Sequence, residues 1–223
     1  MVQIELIDVT KDYQIGGEDI KAVDNVSLKI ERGEFISIVG HSGSGKTTLL
    51  SLIGGLLRPT SGKILWGDID ISLLDDSSLS EYRNKRVGFM FQFTTLIPVL
   101  TAIENVMLPL VFRTDKKTLN HDADMLMRQM RLDNKKYFYP SQLSGGEQRR
   151  IAIARALINE PELILADEPT GDLDEDTEKK VMDILKEINE QRGVTMILVT
   201  HNPKLAMEAK RQLRMINGKL FEE

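Results

Sequence analysis

Gly40-His41-Ser42-Gly43-Ser44-Gly45-Lys46-Thr47 constrains the fold of this chain more than any other stretch. Two glycines five positions apart, followed by Lys-Thr, is the spacing of a phosphate-binding loop. Its flanks suit that role. Phe35–Val39 reads as a buried strand, and the run from Thr47 to Ile53 as the helix that follows. A loop of this kind turns its backbone N–H groups inward around phosphate oxygens, and the helix N-terminus adds partial positive charge. Lys46 is expected to hold the outer phosphates, and the Thr47 hydroxyl to sit on Mg²⁺. The loop implies a nucleoside triphosphate without saying which one or to what end.

The rest of the chain narrows the setting. Its 223 residues fit one large domain or a domain with a subdomain, and a hydrophobic content of 41% supports a substantial core. A net charge of −5 argues against a nucleic-acid partner. With no cysteine, disulfides and thiolate metal sites are excluded. The first residues lack the basic start and apolar centre of a signal peptide. The longest apolar region, Leu96 to Phe112, is interrupted by Glu104, Asn105 and two prolines, so no membrane span is expected.

Short β-rich runs alternate with helical stretches. Strands are expected over Ile4–Val9, Val26–Ile30, Phe35–Val39, Lys63–Trp66, Val87–Phe91, Leu163–Ala166, Met196–Thr200 and Leu213–Ile216. Asn217-Gly218 signals a two-residue hairpin. Helical patterns cover Thr101–Phe112 and Asp122–Met130. The chain reads as an α/β nucleotide-binding core interrupted by a helical insertion.

Two further motifs carry chemistry. Leu163-Ile164-Leu165-Ala166 runs into Asp167-Glu168. At the carboxyl end of a strand in an open sheet, Asp167 can reach the Mg²⁺ shell and Glu168 can polarise an attacking water. Such a strand end is commonly just solvated acid; the phosphate loop is what gives these two a role. The second motif is Leu143-Ser144-Gly145-Gly146-Glu147. Ser144 and Glu147 have the spacing of a capping box. Two glycines at a helix start do not favour helix, which leaves two readings open: a capped helix, or a backbone that an anion approaches.

In order and approximate spacing, the phosphate loop, Leu-Ser-Gly-Gly-Glu, Asp167-Glu168 and Thr200-His201 resemble the ATP-binding-cassette ATPases over essentially the whole chain. The resemblance implies a P-loop, RecA-like core with an N-terminal antiparallel β subdomain and an inserted α-helical subdomain. Residues 1–223 then form one ATPase domain, with the core in 1–92 and 156–223 and the helical part in 93–155. It also implies ATP and Mg²⁺ as ligands. The nucleotide-binding residues are then Tyr13, stacked on adenine, and Gly40, His41, Ser42, Gly43, Ser44, Gly45, Lys46, Thr47 and Thr48. Ser144, Gly145, Gly146 and Glu147 belong against the ATP of a second copy in a two-fold dimer. Thr47, Gln92 and Asp167 are the metal residues, and Glu168, Lys46, His201 and Gln92 the catalytic set, with His201 on the γ-phosphate. Gly171-Asp172-Leu173-Asp174 matches the loop that crosses between copies, although Ser or Asn is usual where Gly171 or Asp172 stands. Proline is common at His41.

Phe91-Gln92-Phe93, Leu96-Ile97-Pro98 and Thr101–Val106 resemble one branch of that family, the lipoprotein-releasing, macrolide-export and antimicrobial-peptide-export ATPases together with a cell-division ATPase. The branch implies a membrane permease docked near residues 93–106 and a cytoplasmic chain held on the inner face of the membrane. Charge substitution at Leu96 or Ile97 is expected to uncouple transport. A regulatory, non-transporting ATPase of the cell-division kind is the alternative. A chromosome-maintenance ATPase head is disfavoured by the short interval between the phosphate loop and Leu143 and the absence of heptads.

Overall fold

Strands buried on both faces organise this chain. The computed structural model describes residues 1–92, 96–112, 119–171 and 173–223. A six-stranded sheet has the order β10 (Lys219–Glu222), β9 (Arg211–Ile216), β3 (Phe35–Val39), β8 (Thr195–Thr200), β7 (Leu163–Asp167), β6 (Val87–Met90). All its pairings are parallel except the β9–β10 hairpin. Every residue of β3, β7 and β8 is buried. Alternate side chains enter two different cores. Ile36, Ile38, Leu163, Leu165, Ile197 and Val199 pack on one side, and Phe35, Ile164, Ala166, Met196 and Leu198 on the other. A sheet covered on both faces has no use for polar alternation, which is why these strands read as continuous apolar runs.

The first side is covered by α1 (Lys46–Ile53) and an antiparallel sheet, ordered β2 (Glu18–Glu31), β1 (Val2–Ile15), β4 (Ser61–Trp66), β5 (Ile69–Asp70). The β1–β2 hairpin turns through Gly16-Gly17, both at positive φ of 63° and 88°. These strands run 14 residues each, well past the expected Ile4–Val9 and Val26–Ile30. The first four residues of β2, 18–21, are exposed, so backbone pairing holds them where no apolar pattern marks them. Asn217 and Gly218, at φ 47° and 79°, make the expected β9–β10 turn.

The second side is covered by helices. After α2 (Asp76–Arg86) come α3 (Ala102–Met107), α4 (Leu119–Gln129), α5 (Gly145–Leu157) and α6 (Glu175–Arg192), with short α7 (Pro203–Ala206) near the end of the chain. Residues of α3, α4, α5 and α6 share one core. The expected helix over Thr101–Phe112 stops at Met107 and continues as a 3-10 turn through Phe112. Pro109 explains the change, since it lacks an N–H and clashes with the preceding turn. The anticipated core–insertion junction at 155/156 falls inside α5. Among the described residues no helix is long and apolar enough to cross a membrane.

Asn105 anchors the segment that precedes α3. Fully buried, it accepts from Ile97 N at 2.7 Å and donates to the carbonyls of Ile97, Leu100 and Thr101 at 3.0–3.2 Å. Leu96 is 8% exposed and belongs to the core, so only part of the anticipated docking stretch is surface. Ile97 at 36% and Val99 at 79% exposure remain available, and Phe93, Thr94 and Thr95 lie outside the described residues. A charge at Leu96 therefore tests folding rather than docking. Asn105→Ala removes the side-chain partner of Ile97 N and Leu100 O and leaves a buried gap, and is expected to cost about 2–3 kcal/mol of stability in urea unfolding.

Candidate active site at the carboxyl edge of the sheet

The parallel strands end together, and their last residues build the site. Val39 of β3 lies in register with Thr200 of β8, and Val199 with Asp167 of β7. The chain leaves β3 into the 40–47 loop, β7 into Glu168, and β8 into His201. A cavity of about 850 Å³ opens there, lined by the loop residues Gly40, His41, Ser42, Gly43, Gly45, Lys46, Thr47 and Thr48 together with Gln92, Asp167, Glu168 and His201.

The loop's glycines are there for geometric reasons. Gly45, at φ 107°, caps α1 in the left-handed region, and any Cβ on it would overlap the Ala22 carbonyl of β2. A Cβ at Gly40 would overlap the Met215 carbonyl of β9. The loop is thus pressed against both sheets. Inside it, Lys46 Nζ donates to the carbonyls of Gly40 and His41 at 2.7 and 2.8 Å, with Ser44 Oγ at 3.5 Å. Ser44 is buried within the loop and is not among the cavity-lining residues. Burial pushes the Lys46 ammonium below its ordinary value, and Glu168 and Asp167 oppose that shift.

The carboxylates are fixed by the neighbouring strand end. Thr47 Oγ1 donates to Asp167 Oδ2 at 2.7 Å. Burial raises the Asp167 carboxyl above its ordinary range, the Thr47 bond works against that, and the nearby Glu168 charge adds to it. Glu168 takes φ 47°, left-handed for a non-glycine residue, a conformation that costs about 1–3 kcal/mol. The bend aims its carboxylate at β8: Thr200 Oγ1 donates to Oε2 at 3.1 Å, His201 N donates to Oε1 at 2.8 Å, and His201 Nδ1 lies 2.7 Å from Oε1. His201 thus contacts Glu168 directly, a pairing that sequence order does not reveal. A buried lysine and two carboxylates in one cleft mark a functional site.

The hydroxyl of Thr47 and the carboxylate of Asp167 are hard oxygen donors suited to Mg²⁺, with room for phosphate oxygens and water as the remaining ligands. Among the described residues no cluster of three His, Cys, Asp or Glu side chains could hold a metal ion.

Tyr13 does not reach this cavity. It lies on β1 opposite Ile20, with Lys11 Nζ 5.4 Å from its ring centre. Ser144, Gly145, Gly146 and Glu147 also stand away from it, at the start of α5. Their capping box is formed, with Ser144 Oγ accepting from Glu147 N and Glu147 Oε2 from Ser144 N. Gly146 has a packing reason as well, since a Cβ there would sit 2.5 Å from Thr177 Cγ2 of α6; at Gly145 a Cβ would meet, among the described residues, Leu173 at 3.5 Å. Asp172 lies outside the described residues. The cavity also takes in Ala22, Gln212, Arg214 and Met215. No local motif marks these four; strand order alone brings β9 and β2 beside the loop.

Comparison with known proteins agrees with this geometry. The family described as ABC transporter matches residues 23–171. A lipoprotein-releasing system ATP-binding protein, LolD, of Geobacter metallireducens is 43% identical over 99% of this chain and 98% of its own length. A macrolide export ATP-binding/permease protein, MacB, of Rhodopirellula baltica is 42% identical over 99% of this chain, which spans only 33% of that protein. Among solved structures, the dimeric, post-hydrolysis state of the ATP-binding cassette MJ0796 bound to ADP and Pi superimposes with a TM-score of 0.89, at 42% identity over 98% of each chain. MJ0796 comes from Methanocaldococcus jannaschii.

The buried acid gives a test of the site's electrostatics. A carboxyl whose folded pKa is raised favours the fold below its ordinary value of 3.8 and loses that contribution as pH rises through the folded value. Asp167→Asn removes the penalty of ionisation. It is expected to raise the thermal midpoint at neutral pH by about 2 °C, with the gain vanishing in acid, as followed by calorimetry.

Proposed function

The chain belongs to the ABC transporter family, and from that premise we propose that it is an ATP-hydrolysing subunit that dimerises around two Mg-ATP to drive a membrane permease. The observation that carries this reading is the meeting of Lys46, Thr47, Asp167 and Glu168 on one cavity at the strand ends.

Phosphoryl transfer to water needs positioning and charge stabilisation more than covalent chemistry. Lys46 exchanges its loop carbonyls for the outer phosphate oxygens, and the loop N–H groups hold the remainder. Thr47 and Asp167, with Gln92 at the rim, would hold Mg²⁺, which when bound neutralises charge on the phosphate oxygens. Glu168 accepts hydrogen bonds from Thr200 and the His201 backbone, so its carboxylate is oriented before substrate arrives. It orients the attacking water and takes its proton as the bond to the γ-phosphorus forms and the bond to the leaving ADP oxygen breaks. His201 couples Glu168 to the γ-phosphate.

Ser144, Gly145 and Gly146 are placed by this reading on the nucleotide of a second copy. That would explain why a well-capped helix start carries Gly145, for which packing within the chain gives no strong reason. A second helix N-terminus excludes water from the γ-phosphate and strengthens each contact to it. Glu168→Gln is expected to keep Mg-ATP and lose hydrolysis, so that light scattering gives a dimer mass with Mg-ATP and a monomer mass with Mg-ADP. A monomer at saturating Mg-ATP would overturn the dimer.

The output is a permease that exports or extracts a lipid, lipoprotein, peptide or macrolide-like substrate, supported by the likeness to LolD and MacB. In this reading the chain is peripheral on the inner face of the membrane, docked through the surface around Ile97 and Val99. Val99→Asp is expected to abolish recovery of an integral membrane partner in pull-downs from native membranes while ATPase activity stays within about twofold.

A further inference from the structure

Arg149 lies in the second turn of α5 and is 4% exposed. Its guanidinium is spent on backbone carbonyls of two separate segments. Nη1 donates to Phe91 O at 3.0 Å and Gln92 O at 3.1 Å; Nη2 donates to Gln92 O at 3.1 Å and Gly171 O at 3.2 Å. The first segment carries Gln92 into the cavity. The second is the turn that leaves Glu168, closed by Gly171 N on Glu168 O at 3.1 Å. The same helix also packs on α6, which follows this turn in the chain, where Gly146 lies against Thr177 too closely to admit a Cβ.

We infer that Arg149 is a positioning residue: its forked guanidinium fastens the Gln92 segment and the Glu168–Gly171 turn to α5, so that the two walls of the cavity are set together from the helix that begins at Ser144. Five N–H donors in a rigid plane reach carbonyls on two loops from separate nitrogens; the three donors of an ammonium all radiate from one atom and do not match that fork. The effect on turnover rests on the ATPase reading above. The mechanical consequence does not, because it concerns only this chain's own bonds. A shift of α5 would move Gln92 and the bend at Glu168 in the same direction, and the Ser144–Gly146 end of the helix would feel movement at either.

Arg149→Lys and Arg149→Gln test this in the full chain, with circular dichroism to select variants that fold. Hydrogen exchange without nucleotide is expected to speed up by about tenfold in peptides covering 88–92 and 168–171 together, while the 40–50 region keeps its rate. In ATPase assays kcat is expected to fall by about 10–100-fold, with Mg-ADP affinity within about twofold of wild type, because the phosphate loop is untouched. Lysine, which keeps the charge, is expected to rescue neither property. Faster exchange in only one segment, rescue by lysine, or wild-type kcat would overturn the inference. If the unmodified chain bound no Mg-ATP, the ATPase reading would fall on its own, and the exchange data would still decide whether Arg149 joins the two walls.

Discussion

The burial of Lys46, Asp167 and Glu168 at one edge of a sheet that is apolar on both faces is the constraint on which the rest depends. None of these groups is more than 9% exposed, and a charge taken from water must be paired and hydrogen-bonded. The structure meets this with backbone groups and neighbours fixed by strand register. Loop carbonyls receive the ammonium, the Thr47 hydroxyl serves Asp167, and the end of β8 serves Glu168. Burial holds Lys46 low and Asp167 high, and each charged form gains from a neighbour of opposite charge. The two apolar cores on either side of the sheet give the rigidity that keeps this arrangement from relaxing.

Some of this was legible in the sequence, for physical reasons. The phosphate loop declares itself because its glycines answer local demands, positive φ at Gly43 and Gly45 and close approach at Gly40 and Gly45. Strands β3, β7 and β8 are readable because double burial leaves unbroken apolar runs. The capping box at Ser144–Glu147 is a contact between near neighbours in the chain. Each of these signals is local, and each is met in the structure.

What stayed hidden is long-range. Arg149 sits in a charged helix start, Glu147-Gln148-Arg149-Arg150, and nothing in that pattern separates the buried arginine from its half-buried neighbour. The carbonyls it donates to, 58, 57 and 22 positions away, have no side-chain signature. The cavity wall from Gln212 to Met215 depends on β9 pairing with β3, a topological fact. Gly146 could be read as an opening for an anion; its contact with Thr177 supplies a packing demand that only the three-dimensional arrangement reveals. Leu96 was placed on a surface by the company it keeps in sequence, and the core claims it instead.

The bend at Glu168 links these levels. A left-handed glutamate is unfavourable in isolation, and it persists here because four bonds determine it from outside: Glu168 N to Val199 O, Gly171 N to Glu168 O, and the Thr200 and His201 donors on the carboxylate. Three of the four come from the β8 side. The fourth closes the turn that Arg149 holds from the opposite side. With its carboxylate held by Thr200 and His201 and its turn held from α5 through Gly171, Glu168 has little freedom to adapt. Under the proposed function, a substrate then has to fit this carboxylate as it stands, or shift α5 against the sheet as it binds. Within that reading, the bonds from Arg149 to Gly171 O and from Gly171 N to Glu168 O are the path from the strand end to the helix layer.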